Sequence, residues 1–335
     1  VLMLGIDLNL LANKYKNIFN INIFTINTKM HKTYYSGICD FYNYLTTLNY
    51  DNKDKILNSY AIIGGENSIF DYNKKIEIKN FLNSYFNLKC LLVDSTKLKL
   101  DDYLILSKVQ FIIITSLTAL NLAKYLKEKY GIEYIYFNSM NYQSINEYLN
   151  IINTTFSIPF RKKKLLKINF DVFNQVNNIL HFTNKKILVF ANEDDLNLLK
   201  DYFKLFNYEN VLYYSMYESN NYEKIDADEL IEKYKKKDIV IISSDTICKY
   251  FKKKIVINYD GLTYNLITDI DKSLILLDSF YEFSKRLVKE IIINNKKAQF
   301  DVLFYCSTLI IFYMNIHLIK WYFNIIFIKR FFYFF

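Results

Sequence analysis

The chain has 335 residues, of which 52% are hydrophobic and 23% are charged, so it has enough apolar sequence for two or three packed domains. This composition excludes a disordered protein. The formal net charge of +9 is spread over periodic segments without a nucleic-acid-binding motif, and we therefore expect no nucleic-acid partner.

The first 58 residues predict part of an α/β unit. The pattern indicates a helix at 7–19, a strand at 21–28 and a helix at 37–48. No opening strand precedes them, so we expect the rest of a first Rossmann-like subdomain to lie before Val1.

Two further units show short apolar runs that alternate with amphipathic stretches. This order is typical of parallel sheets covered by helices, and strands that are apolar on both faces indicate burial. In the second unit (59–160) we predict strands at 59–65, 89–96, 109–116 and 133–138 and helices at 73–86, 100–107 and 118–130. In the third unit (185–300) we predict strands at 185–192, 210–216, 238–244 and 254–260 and helices at 194–206, 227–237 and 273–293. The predicted fold class is α/β, with tandem Rossmann-like subdomains and a cleft between them.

Two segments lie outside these units. Residues 161–184 contain the basic run "RKKKLLK" and are interpreted as a linker or helix. Residues 301–335 form an apolar, aromatic tail whose stretch 302–328 is long enough to span a bilayer. The alternatives for this tail are a packed aromatic helix and a tail translated from poorly selected AT-rich sequence, and we favour these two together over membrane contact. His317 and Lys320 would lie within a membrane span.

The cysteines and histidines do not predict a metal site. The four cysteines are far apart, without a Cys-x-x-Cys pair, and the three histidines form no HExxH motif. Dispersed cysteines without a disulfide pattern indicate a reducing cytoplasm.

Candidate binding residues follow the predicted strands, because ligands of open parallel sheets bind beyond the carboxyl ends of the strands. Each of these residues has an alternative role as part of a tight turn or a helix cap. The candidates are Gly65, Asn67, Ser95, Thr115, Ser116, Ser244 and Tyr259. No catalytic pair of nucleophile and base is recognisable, since no histidine accompanies them.

Several stretches resemble the nitrogenase component 1 family. The start "LMLGIDLNLLANKY" is similar to a family segment that follows a cluster cysteine, and "AIIGGEN" is similar to the strand that opens its second subdomain. The stretch "LAKYLKEKYGIEYIYFN" resembles the family's most specific signature, although Glu133 replaces a proline. "KKILVFANEDDLNLLKDYF" and "DIVIISSDTICKYFKKK" resemble the third subdomain. The resemblance covers residues 1 to about 293.

The resemblance implies a subunit built from three Rossmann-like subdomains, in an oligomer with a homologous component 1 subunit. It implies electron delivery by an ATP-dependent iron–sulfur reductase through a [4Fe–4S] cluster. The cluster cysteines would lie upstream of Val1, and Cys39 matches none of them.

The family's cofactor ligands are absent from the matching positions. The cysteine that binds the iron–molybdenum cofactor falls at Thr115, and the cofactor histidine falls at about Asn258 or Tyr259. A neutral hydroxyl is a poor substitute for a soft thiolate. We therefore expect an oxidoreductase subunit without this cofactor, acting on an unknown substrate. The alternatives are a non-catalytic paralogue with a structural or assembly role, and a metal- or tetrapyrrole-binding protein of similar fold.

Overall fold

A computed structural model gives the structure of the protein. It describes residues 34–50, 54–65, 69–161, 166–251, 255–258 and 277–294, together with positions 10, 14–16 and 18. The predicted strand 21–28, most of the predicted helix 7–19 and the tail 301–335 lie outside the described residues.

The described elements are strands connected by helices. The strands are β1 Ile56–Ile63, β2 Lys89–Val93, β3 Val109–Ile114, β4 Glu133–Tyr136, β5 Ile187–Ala191, β6 Val211–Ser215, β7 Val240–Ser243 and β8 Ile255–Asn258. The α-helices are α1 Tyr34–Leu45, α2 Ile69–Tyr85, α3 Leu120–Tyr130, α4 Tyr142–Thr155, α5 Phe170–Thr183, α6 Glu193–Leu205, α7 Ala227–Tyr234, α8 Asp245–Cys248 and α9 Leu277–Asn294. The 3₁₀ helices are Leu100–Lys108, Leu117–Ala119 and Lys249–Phe251. Two successive helices, α4 and α5, connect β4 to β5.

Two four-stranded parallel sheets have the same topology. Their strand orders are β2-β1-β3-β4 and β6-β5-β7-β8. The chain moves outward from β1 to β2, then returns to the other side of β1 to form β3. This reversal creates a topological switch point between β1 and β3, and another between β5 and β7. The α/β fold class with parallel Rossmann-like sheets is confirmed. Below, the first unit is the first sheet with the helices packed on it, and it corresponds to the predicted second unit at 59–160. The second unit is the second sheet with its helices, and it corresponds to the predicted third unit at 185–300.

Alternating side chains of each strand enter opposite layers, which explains the uniformly apolar strands. In β3, Ile112 and Ile114 pack with α1 and α3, whereas Phe111 and Ile113 pack with α2 and α4. In the second sheet, β5 likewise divides its residues between a layer formed with α5, α6 and α9 and a layer formed with α7. Each sheet is therefore covered on both faces, as expected for parallel strands.

The helix boundaries differ from the sequence predictions in a few places. Helix α4 was not predicted, although Ile145, Leu149 and Ile152 are all buried and Asn141 caps its first turn. Helix α5 occupies most of the segment interpreted as a linker or helix, and its buried Val176 and Leu180 join the core of the second unit. Helix α1 belongs to the segment assigned to a preceding subdomain, and it packs on the first sheet.

Gly64 is required where β1 and β3 end side by side. Its φ is +107°, and a Cβ there would lie 2.9 Å from the backbone nitrogen of Ser116. Left-handed strain and overpacking act together, so we expect Gly64→Ala to lower the free energy of unfolding by about 2–4 kcal/mol.

Urea denaturation measures this loss, and Gly37→Ala is the matched control. Gly37 lies inside α1 with no neighbouring atom within 4 Å of an added Cβ. Alanine is favoured over glycine in a helix, so the control should gain about 0.5–1 kcal/mol. Equal effects of the two substitutions would contradict the close approach at Gly64.

Candidate functional site at the strand ends of the first sheet

The turns that follow β1 and β3 meet at the switch point of the first sheet. Gly64 and Gly65 follow β1, and Thr115 and Ser116 follow β3. The backbone N–H of Thr115 donates to the carbonyl of Ile63 at 2.9 Å, so the two chain segments remain paired beyond the sheet. Three of the predicted residues, Gly65, Thr115 and Ser116, are therefore brought together.

Gly65 allows a carboxylate to approach its backbone. Its φ is +89°, and a Cβ would lie 2.3 Å from the Oδ1 atom of Asp71. Its N–H donates to the hydroxyl of Thr118 at 3.1 Å. The backbone donor of this turn is thus already used within the chain.

Thr115 is fully buried, and its hydroxyl lies near two backbone carbonyls. The Oγ1 atom lies 3.3 Å from the carbonyl oxygen of Gly64 and 3.4 Å from that of Ile63. The side chain therefore serves the pairing of the strand ends. A buried neutral hydroxyl whose single proton is directed at backbone carbonyls does not fit the role of a ligand to a metal cofactor.

Ser116 binds a carboxylate from the second unit. Asp194, in the first turn of α6, accepts hydrogen bonds from the Ser116 hydroxyl at 2.6 Å, the Leu117 N–H at 2.9 Å and the Tyr136 hydroxyl at 2.7 Å. Asn138 donates to the Asp194 backbone carbonyl at 2.7 Å. The strand ends of the first sheet are thus covered by the start of α6.

Burial raises the pKa of the Asp194 carboxyl above its ordinary value. The hydrogen bonds from Ser116, Tyr136 and Leu117 act in the opposite direction because they favour the charged form. Burial, with the neighbouring Asp194 carboxylate as the next cause, also raises the pKa of the Tyr136 hydroxyl.

A directed chain of hydrogen bonds runs from the β1 turn to Asp194. The Gly65 N–H donates to Thr118, the Thr118 hydroxyl lies 2.9 Å from the Ser116 hydroxyl, and Ser116 donates to Asp194. Because Ser116 uses its proton on the carboxylate, Thr118 must be the donor in the middle link. This pattern suits an ionised Asp194, since a carboxylate only accepts hydrogen bonds.

A second buried polar cluster lies beside this chain, and the sequence reasoning did not identify it. Lys75 is fully buried, with its Nζ atom 2.8 Å from Asp71 Oδ2 and 3.7 Å from Asp94 Oδ2. Tyr42 and Tyr103 donate to the two oxygens of Asp94, which follows β2. Burial, followed by the Asp94 carboxylate, raises the pKa of both tyrosines. The cluster ties α1, α2 and a 3₁₀ helix to the strand ends.

The other predicted residues have more peripheral positions. Ser95 is partly exposed, and its hydroxyl accepts a hydrogen bond from the Lys97 N–H at 3.4 Å. Ser244 follows β7 of the second sheet, where its carbonyl accepts from the backbone N–H of Ile247 and of Cys248. Asn67 and Tyr259 lie outside the described residues.

The described residues contain no group of three or more histidine, cysteine or acidic side chains that could hold a metal ion. Cys39, Cys90 and Cys248 lie in three different elements, α1, β2 and α8. Among the helices in the described part of the chain, none is long and apolar enough to cross a membrane.

Comparison with solved structures identifies a fold of the nitrogenase type. The chain matches "Nitrogenase Cp1 at pH 5" with a TM-score of 0.59 and 12% sequence identity, over 87% of this chain and 68% of that chain. It matches "Nitrogenase Cp1 at pH 6.5" with a TM-score of 0.54 and 11% identity, over 87% of this chain and 72% of that chain. At these identities the similarity is one of fold. No family model and no curated protein matches the sequence.

Proposed function

We propose that this chain is a nitrogenase-like component 1 subunit that takes part in electron transfer. The observation that carries the proposal is the structural similarity to nitrogenase chains over 87% of this chain. The repeated doubly wound topology of the two sheets agrees with it. In this proposal the subunit works in the cytoplasm, pairs with a homologous subunit and receives electrons from an ATP-dependent iron–sulfur reductase.

The proposal includes no iron–molybdenum cofactor at the end of β3. What supports this is the environment of Thr115, whose buried hydroxyl lies against the carbonyls of Ile63 and Gly64. The Asp194 carboxylate occupies the space next to the Ser116 hydroxyl, from which it accepts a hydrogen bond. An iron–sulfur cluster would have to be held by cysteines outside the described residues, because the described ones form no metal-binding group.

A non-catalytic paralogue with a structural or assembly role is the second candidate. It is favoured by the polar groups at the switch point, which bind one another. No buried side-chain nitrogen or oxygen of the described residues lacks a hydrogen-bond partner. Active sites commonly present polar groups to a ligand, whereas a satisfied network stabilises the fold.

Anaerobic purification of the full-length protein with its associated subunit tests the proposal. We expect iron and acid-labile sulfide in the complex, and reduction of this centre by an iron–sulfur reductase only when ATP is present. A complex without iron and sulfide would overturn the electron-transfer role and leave the structural one.

The variant Thr115→Val tests the position at the end of β3. Valine has a similar shape, and the Ile63 carbonyl keeps its bond from the Thr115 N–H. We expect unchanged metal content and a loss of unfolding free energy within about 1.5 kcal/mol. A loss of metal from a folded Thr115→Val protein would show that a cofactor does bind there.

A further inference from the structure

Helix α6 belongs to the second unit but contacts the first unit through two carboxylates. Asp194 and Asp201 are seven residues apart, which places them two turns apart on the same face of the helix. Residues on the opposite side of α6, including Leu196, Leu199 and Phe203, are buried in the core of the second unit. Helix α6 therefore packs on the second unit through apolar side chains and contacts the first unit through carboxylates.

Asp201 repeats the arrangement found at Asp194. Its carboxylate accepts hydrogen bonds from the hydroxyl of Ser139 at 2.5 Å, the hydroxyl of Ser144 at 2.9 Å and the amide of Asn141 at 3.3 Å. All three donors lie between β4 and the first turn of α4. Each carboxylate thus receives three hydrogen bonds from the first unit.

The loop that connects β4 to α4 is anchored in the second unit as well. Met140 is fully buried in the core formed by α5, α6 and α9. Tyr142 packs against the same core and begins α4. The strand-end segments of the first unit and the polar face of α6 therefore form one continuous contact.

We propose that this contact is a releasable latch, made of Asp194, Asp201 and their six donors, which holds the two units closed over the switch point of the first sheet. A hydrogen bond to water can replace each of the six bonds, and the apolar cost of opening is the withdrawal of Met140 and Tyr142 from the core of the second unit. These are two side chains, so opening costs less than exposing the whole apolar face of α6. When the latch opens, α6 stays with the second unit and the strand-end turn at Thr115 and Ser116 becomes accessible.

The directed chain of hydrogen bonds connects the latch to the β1 turn. The Gly65 N–H donates to the Thr118 hydroxyl, which donates to the Ser116 hydroxyl, which donates to Asp194. Loss of the first of these bonds would therefore weaken the last one. Hydrogen bonds in such chains polarise one another. The β1 turn at Gly65 and the latch carboxylate Asp194 are in this way connected.

Hydrogen–deuterium exchange of the full chain tests the latch. In the double variant Asp194→Ala/Asp201→Ala we expect amide exchange at 116–118 and 138–144 to become at least about tenfold faster, because each carboxylate contributes charge-assisted hydrogen bonds. Exchange in strands β1, β3, β5 and β7 should stay at the wild-type rate. Small-angle scattering should show a larger radius of gyration.

Two controls make the result decisive. Glu209→Gln removes an exposed carboxylate of the second unit and should leave exchange unchanged. If the double alanine variant does not fold, Ser116→Ala/Ser144→Ala weakens the latch from the other side with smaller changes. Unchanged exchange at the two segments would overturn the proposal, and so would a uniform increase over the whole chain, because that would indicate global destabilisation only.

Discussion

Replacing Lys75 by methionine is expected to lower the free energy of unfolding by about 3–5 kcal/mol, the usual cost of leaving a buried charge without its partner. Methionine keeps most of the length and the packing of the lysine stem. It leaves Asp94, which is fully buried, with the hydrogen bonds from Tyr42 and Tyr103 but without a counter-charge. Urea denaturation followed by circular dichroism measures the loss.

Lys79→Met is the matched control for this measurement. Lys79 lies four residues further along the same helix and is partly exposed, so its substitution should change stability by less than about 0.5 kcal/mol. Adding Asp94→Asn to Lys75→Met should recover part of the loss, because the unpaired carboxylate is then removed. A loss no larger than that of the control would contradict the buried ion-pair cluster.

The burial of Lys75 has a recognisable signal in the sequence. Lys75 precedes Ile78 by three residues and Leu82 by seven, which places all three on one face of a helix. All three side chains are fully buried. A charged residue in an apolar helical stripe predicts a buried partner, and Asp94, at the end of the neighbouring strand, satisfies that expectation.

The fold was predictable because the strands are apolar on both faces and alternate with helices. Helix α4 was missed because its sequence is rich in asparagine and threonine, which favour caps and turns over helix interiors. The helix is formed by tertiary packing, since Ile145, Leu149 and Ile152 recur at helical spacing and bury one face.

The candidate site was predictable only within one unit. The rule on strand ends leads to Gly65, Thr115 and Ser116, all of which meet at the first switch point. Asp194, which binds Ser116, lies 78 residues further along the chain. No local pattern connects these two positions, because their contact depends on how the second unit docks on the first.

The Asp194 carboxyl is expected to give the protein a distinctive pH dependence of stability. Its pKa is raised above the ordinary value of 3.8 chiefly by burial. A carboxyl with a higher pKa in the folded state contributes stability that is complete below the unfolded value. This contribution is lost as the pH rises through the folded value. The charge of Lys74 lowers the pKa of Asp194, while burial and, next, the Asp194 carboxylate raise the pKa of the Tyr35 and Tyr136 hydroxyls.

The test compares the wild-type protein with Asp194→Asn in urea at a series of pH values from about 4 upward, where ordinary aspartate is ionised. Asparagine does not titrate, so the free energy of unfolding of the wild type, minus that of the variant, should fall as the pH rises. Asp194→Ala should cost about 1–3 kcal/mol at about pH 4, since buried donors such as the Leu117 N–H lose their acceptor, and this cost should fall in the same way as the pH rises. Leu196→Val, on the same helix, removes a buried methylene and no titrating group, so its difference from the wild type should be constant. A constant difference for Asp194→Asn as well would show that this carboxyl titrates alike in the folded and unfolded chain, and that burial against the first unit does not perturb it.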